Sequence, residues 1–82
     1  MSILERVQSV AEDLTRAEHL LVREIIAKPR DVALGTASSL AQRTGVHEAT
    51  ASRLAKKLGF QSYAGFRDAI REEFIVKADP AL

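Results

Sequence analysis

A chain of 82 residues without cysteine has neither disulfides nor thiolate metal sites, and folding at this size hides only about 60% of the unfolded surface, so one packed core must hold it together. The composition, 46% hydrophobic and 28% charged, excludes a disordered tail, and no apolar run reaches the length of a membrane span. The net charge of +1 hides an uneven distribution: residues 43–67 hold five basic groups against one acidic, while residues 1–42 hold five against six and residues 68–82 two against four.

The opening "MSILERVQSVAEDL" interleaves acids with its apolar residues and so lacks the plan of a secretory signal, which predicts a cytoplasmic protein. Ile3, Leu4, Val7, Val10, Ala11 and Leu14 follow the three-four spacing of a first helix, whose apolar stripe suits contact with a second copy of the chain. Thr15 and Glu18 have the spacing of a capping box that starts a second helix, with Leu20, Leu21, Val22 and Ile25 inward and Glu24 one turn from Lys28. Pro29 ends that helix near Lys28. "RDVALG" then reads as a connection whose Val32 and Leu34 plug the core. Thr36 caps a third helix over Ala37–Thr44, and Gly45 stops it because the next turn needs a residue that tolerates positive φ. A fourth helix over Glu48–Leu58 carries the seam Ala51, Leu54, Ala55 and Leu58, and Gly59 stops it. Ser62 caps a fifth helix with Phe66, Ala69, Ile70 and Phe74 inward, and the tail "ADPAL" frays. With no strand alternation or hairpin dipeptides, the predicted class is all-α: a five-helix bundle containing a helix-turn-helix of the homeodomain-like or winged-helix-like kind.

The third and fourth helices, joined through "TGVH", have the form of a helix-turn-helix unit. Ala41 allows close approach, Gly45 makes the turn, Val46 plugs the corner, and Leu40 with Leu54 ties both helices to the core. Such a unit lays the N-terminal half of its second helix in the major groove, which turns His47, Glu48, Ala49, Ser52, Arg53 and Lys56 toward base edges or nearby phosphates. Arg53 has the planar fork that donates twice to guanine, a contact worth about 1–3 kcal/mol of discrimination. Glu48 is suited to accept from cytosine. Arg43, Thr50, Ser52, Lys56 and Lys57 suit phosphate oxygens, as does Thr36 at a helix start. The competing reading, a solvated polar face, expects charges of mixed sign, and the middle third of the chain is one-signed.

The stretches "LTRAEHLLVREIIAKP" and "TASSLAQRTGVHEATASRLAKKLGFQSYAGFRDAI" resemble the N-terminal DNA-binding domain of the RpiR family of bacterial transcriptional regulators. Thr50, Arg53, Lys57, Leu58, Gly59, Phe60, Tyr63 and Phe66 fall where that family places its threonine, arginine, lysine, "LGF" and trailing aromatics. The resemblance implies a homodimer on a double-stranded DNA operator, with residues 1–78 as the helix-turn-helix domain and residues 79–82 beginning a linker. It further implies control of sugar-metabolism genes through a phosphosugar effector bound by a separate C-terminal sugar-isomerase-like domain. The sequence departs from the family pattern at His47, where a serine usually caps the reading helix, and at Ala51, where a β-branched residue is usual.

Phe60, Tyr63 and Phe66 read as core aromatics rather than a base-stacking platform. His19 and His47 lack carboxylate partners at metal-ligand spacing, and the pairs Glu12–Asp13 and Glu72–Glu73 diverge around a helix, so neither a metal nor an acid–base site is expected. With no phosphate-binding loop, nucleophile elbow or cysteine, the sequence points away from an enzyme or a cofactor and away from a membrane. The rival to DNA binding is a helical protein-interaction module, since one fold serves many functions.

Overall fold

A computed structural model of the chain describes residues 2–76, and among these residues every regular element is helical. Helix α1 spans Ile3–Val10, α2 Arg16–Ala27, α3 Pro29–Leu34, α4 Ala37–Thr44, α5 Glu48–Lys57 and α6 Tyr63–Arg71. A 3-10 turn over Ala11–Asp13 follows α1, and α6 widens into a π turn over Glu72–Val76. The predicted tail "ADPAL" and the predicted boundary at residue 78 lie outside the described residues.

The all-α helix-turn-helix class holds, and the segment read as a connection is itself a helix. Pro29 ends α2 and begins α3 at once: its missing N–H is no loss in a first turn, and its ring presets helical φ. Only Lys28, at φ −138° and ψ 61°, separates the two. Val32 and Ala33 are buried as α3 packs on α2 and α6, but Leu34 is 72% exposed and does not plug the core. The first helix is also shorter than its stripe suggests. Backbone at Val10 (φ −119°) leaves helical geometry, and Leu14 reaches the core from an extended residue. Leu4 and Leu20, both read as inward, are exposed.

Helix starts follow local chemistry. Ser2 and Thr15 each close a capping box with a glutamate three residues on, Thr36 does so with Ser39, and Ser62 Oγ accepts from Gly65 N. These caps aim the apolar faces at one cluster in which Leu21, Leu40, Leu54, Phe66 and Ile70 are fully enclosed. Val7, Val10, Val46 and Phe60 pack around its margin. The stripe of α1 is therefore used inside the domain, with Ile3 and Leu14 buried, and Leu4 remains as its outward apolar residue.

Glu18 does more than cap. Its side chain is 0% exposed, and Oε1 accepts from Thr15 N at 2.7 Å and from Lys57 Nζ at 2.7 Å. Lys57 Nζ also donates to the Asp13 carbonyl at 2.8 Å. Burial works to raise the Glu18 pKa, but the Lys57 ammonium with the Thr15 N–H and hydroxyl outweighs it and holds the carboxyl below its ordinary 4.5. A carboxyl more acidic in the folded state stabilises fully above its unfolded pKa and loses that contribution as pH falls through the folded value. Acid unfolding followed by circular dichroism should accordingly show Glu18→Gln losing less stability below pH 4.5 than the parent chain does.

Candidate nucleic-acid interface

Helices α4 and α5 end in the same way. Val46 N donates to the Ala41 carbonyl at 3.0 Å and Gly45 N to that of Gln42 at 3.4 Å; Phe60 N donates to Ala55 at 3.0 Å and Gly59 N to Lys56 at 3.0 Å. This paired closure requires a left-handed residue, and Gly45 and Gly59 stand at φ 75° and 96°. Only Gly45, Val46 and His47 separate α4 from α5, with Val46 packed against the core and Ala41 buried at 3% exposure. The result is the predicted pair of short helices meeting across a glycine turn.

At about 100° per residue, Glu48, Ala49, Ser52, Arg53 and Lys56 fall on one arc of α5, opposite Ala51, Leu54, Ala55 and Leu58. Accessibility follows that division. Ala51, Leu54 and Ala55 are 0% exposed, while His47, Glu48, Ala49, Arg53 and Lys56 are exposed and Ser52 is half-buried. Among the described residues no hydrogen bond or ion pair holds the side chains of His47, Glu48, Ser52, Arg53 or Lys56. His47 precedes α5 without a side-chain cap, and Glu48 supplies the acidic group that favours a helix start.

Other sequence candidates are placed differently. Thr50 is 8% exposed and lies at the margin of the buried face. Lys57 lies beyond the edge of the arc, its ammonium held by Glu18 and Asp13. Arg43 pairs with Glu24, with Asp31 at 4.0 Å, so the partner of Glu24 is on α4 rather than the expected Lys28. Thr36 is exposed, with its hydroxyl accepting from Ser39 N at 3.0 Å. Tyr63 is 8% exposed, and its hydroxyl is enclosed without a partner among the described residues. Burial pushes the Tyr63 phenol pKa up, against the opposing pull of Arg67 and Arg43. Phe66 is fully buried and Phe60 half-buried, so these aromatics are core, as expected.

Two residues of consequence escape the sequence reading. Arg6 on α1 donates from Nη1 to the Leu58 carbonyl at 2.8 Å and lies 4.8 Å from the centre of the Phe60 ring. Glu73 accepts from Ile3 N through both carboxylate oxygens at 3.2 Å. Neither contact has a local signal, because the partners are 52 and 70 residues apart. An open groove of about 380 Å³ between α2 and α4 is lined by Leu20, Arg23, Glu24, Ala27, Arg43 and Thr44. Its facing charges, Arg43 and Glu24, are already paired with each other. Among the described residues no helix is long and apolar enough to cross a membrane.

Comparison with known proteins agrees with this geometry. Over its whole length the chain is 29% identical to an uncharacterized HTH-type transcriptional regulator of Clostridium perfringens, and it spans only 29% of that relative's length. No solved structure matches. The helix-turn-helix domain of the rpiR family matches residues 1–77, which include both glycine-closed helices and the charged arc of α5. A match over so much of the chain, with the turn and the exposed second helix where such a unit needs them, places this protein in the rpiR family of helix-turn-helix domains.

Proposed function

We propose that the chain is the sequence-specific DNA-binding head of a cytoplasmic bacterial transcriptional regulator, with α5 entering the major groove. The observation that carries this reading is the contrast among cations. Arg6, Arg43 and Lys57 are held within the domain, whereas Arg53 and Lys56 stand on an exposed arc with His47, Glu48, Ala49 and Ser52 and have no partner among the described residues. Arg53 reads guanine, Glu48 accepts from cytosine, and His47 and Ser52 flank them; Lys56 contacts phosphate, with Thr36 and Thr50 beside the backbone. Arg43 and Lys57 serve as phosphate contacts only by exchanging their present partners.

Two copies would place their reading helices about 34–36 Å apart on a near-palindromic operator. On α1 the edge left for a second copy is the one bearing Leu4. Membership of the family supports control of sugar-metabolism genes, with a phosphosugar sensed by a further C-terminal domain of the whole regulator.

Selection of binding sequences from random duplexes, at two salt concentrations, tests the reading. An enriched near-palindrome is expected, with affinity falling steeply in salt. Arg53→Ala should cost about 1–3 kcal/mol and relax preference at one guanine, leaving the salt slope nearly unchanged. Binding without an enriched motif would reduce α5 to a nonspecific basic face, and no binding at low salt would favour a protein-interaction module.

A further inference from the structure

Among the described residues the side chains on the exposed arc of α5 make no hydrogen bond or ion pair with the rest of the domain, so the aim of the arc depends on what holds the buried face and the C-terminal end. That end is a corner of three residues, Leu58, Gly59 and Phe60, and the Arg6 side chain meets all three. Its Nη1 donates to the Leu58 carbonyl at 2.8 Å, where the partial negative charge of a helix end favours a cation. Its guanidinium carbon lies 4.8 Å from the centre of the Phe60 ring, within range of a cation–π contact. Between them, Gly59 stands at φ 96°, and a Cβ built there would lie 2.6 Å from Arg6 Nη1. Glycine at 59 thus meets two demands at once: the left-handed backbone that closes α5 and the passage of the guanidinium. At Gly45, where the same closure occurs, a Cβ would meet nothing within 4 Å. The second demand belongs to the Arg6 corner alone.

Helix α1, which carries Arg6, is itself fixed at its far end. Ile3 N donates to both oxygens of Glu73, so α1 bridges the segment after α6 and the end of α5. Among the described residues the Arg6 bond is the one hydrogen bond between α1 and this corner.

We propose that Arg6 is a positioning residue for DNA reading, which sets the angle of α5 by clamping the Leu58–Gly59–Phe60 corner; this rests on the reading of α5 as the groove-entering helix. Arg6 touches no base or phosphate. Its effect falls on discrimination and not on nonspecific attraction, because a tilted α5 keeps its charges near the duplex and loses register with the base edges.

The test compares binding of the 82-residue chain and its Arg6→Met variant to the selected duplex and to a scrambled duplex of the same length, at two salt concentrations. With the helical circular dichroism spectrum intact, Arg6→Met should lose about tenfold on the selected duplex, little on the scrambled one, and keep the parent salt slope. Arg6→Lys, which restores a donor and a charge without the planar fork, should recover part of the loss. Gly59→Ala should lose discrimination in the same direction, and combining it with Arg6→Met should cost less than the two losses added, as expected of groups in contact. Should Arg6→Met fail to fold, Arg6→Lys carries the test at smaller amplitude. Undiminished discrimination in a folded Arg6 variant, or an equal loss on both duplexes with a shallower salt slope, overturns the clamp while leaving the reading helix in place. A parent chain that cannot tell the two duplexes apart overturns the DNA reading, and the clamp's role with it.

Discussion

Lys57→Met is expected to cost about 2–3 kcal/mol and to lower the melting temperature by roughly 10–20 °C, as followed by circular dichroism. The reason lies in the burial of its partner. Glu18 is 0% exposed at its side chain, with Oε2 enclosed and without a hydrogen-bond partner among the described residues. Removing the ammonium leaves an ion away from water with only Thr15, through its N–H and hydroxyl, to answer it. The expected cost sits below the about 3–5 kcal/mol typical of breaking a fully buried pair because Lys57 is itself 30% exposed, where water already screens the attraction. The double variant Glu18→Gln/Lys57→Met should be more stable than Lys57→Met alone, since no charge then remains inside. Equal stability of the two would show that the pair does not govern this corner. The same experiment separates the two roles of Lys57: a residue held by Glu18 should change stability strongly and the salt slope of DNA binding little.

Phe66→Ala should be costlier still. Phe66 is 0% exposed and lies between Phe60, with ring centres 5.4 Å apart, and Tyr63, at 5.9 Å and edge-on. Truncating such a ring typically costs about 3–5 kcal/mol, through lost transfer energy and the cavity left behind. A domain of 82 residues has a total stability of about 4–12 kcal/mol, so the variant should lose a large share of it. Urea denaturation should show the midpoint falling sharply at nearly unchanged slope, with Phe66→Leu falling visibly less because it keeps most of the volume. The ring supports function as well as stability, because Phe60, which receives the Arg6 guanidinium, rests on it.

What was legible in the sequence was what neighbouring residues decide among themselves. The capping pair Thr15 and Glu18, the caps Thr36 and Ser62, and the stops Gly45 and Gly59 all do in space what their spacing suggests, since each depends on backbone within a few residues. The seam of Ala51, Leu54, Ala55 and Leu58 was legible for the same reason, a helical period sustained over about two turns. The helix α3 was not: with six residues it is too short to display a period, and its opening proline also closes the helix before it. Lys57 shares the basic character of Lys56, and nothing nearby shows that it turns toward a carboxylate 39 residues earlier. Arg6 likewise looks like the solvated side of an amphipathic helix until α5 is laid against it. Local chemistry fixed where helices begin and stop, whereas tertiary contact decided which charges remain available to a ligand.

The bond from Ile3 N to Glu73 carries a consequence for the order of events during synthesis. Its two ends are 70 residues apart, and the Arg6 bond to Leu58 spans 52, so α1 is among the last elements of the domain to be secured. Contacts that close such long loops come late, because the entropy of closure is lost before they return any stabilisation. On the ribosome α1 therefore cannot be secured until Leu58 and Glu73 have both been made. Until Glu73 has emerged, Ile3 lacks the partner that holds it in the folded domain, which leaves α1 more open to proteases and chaperones.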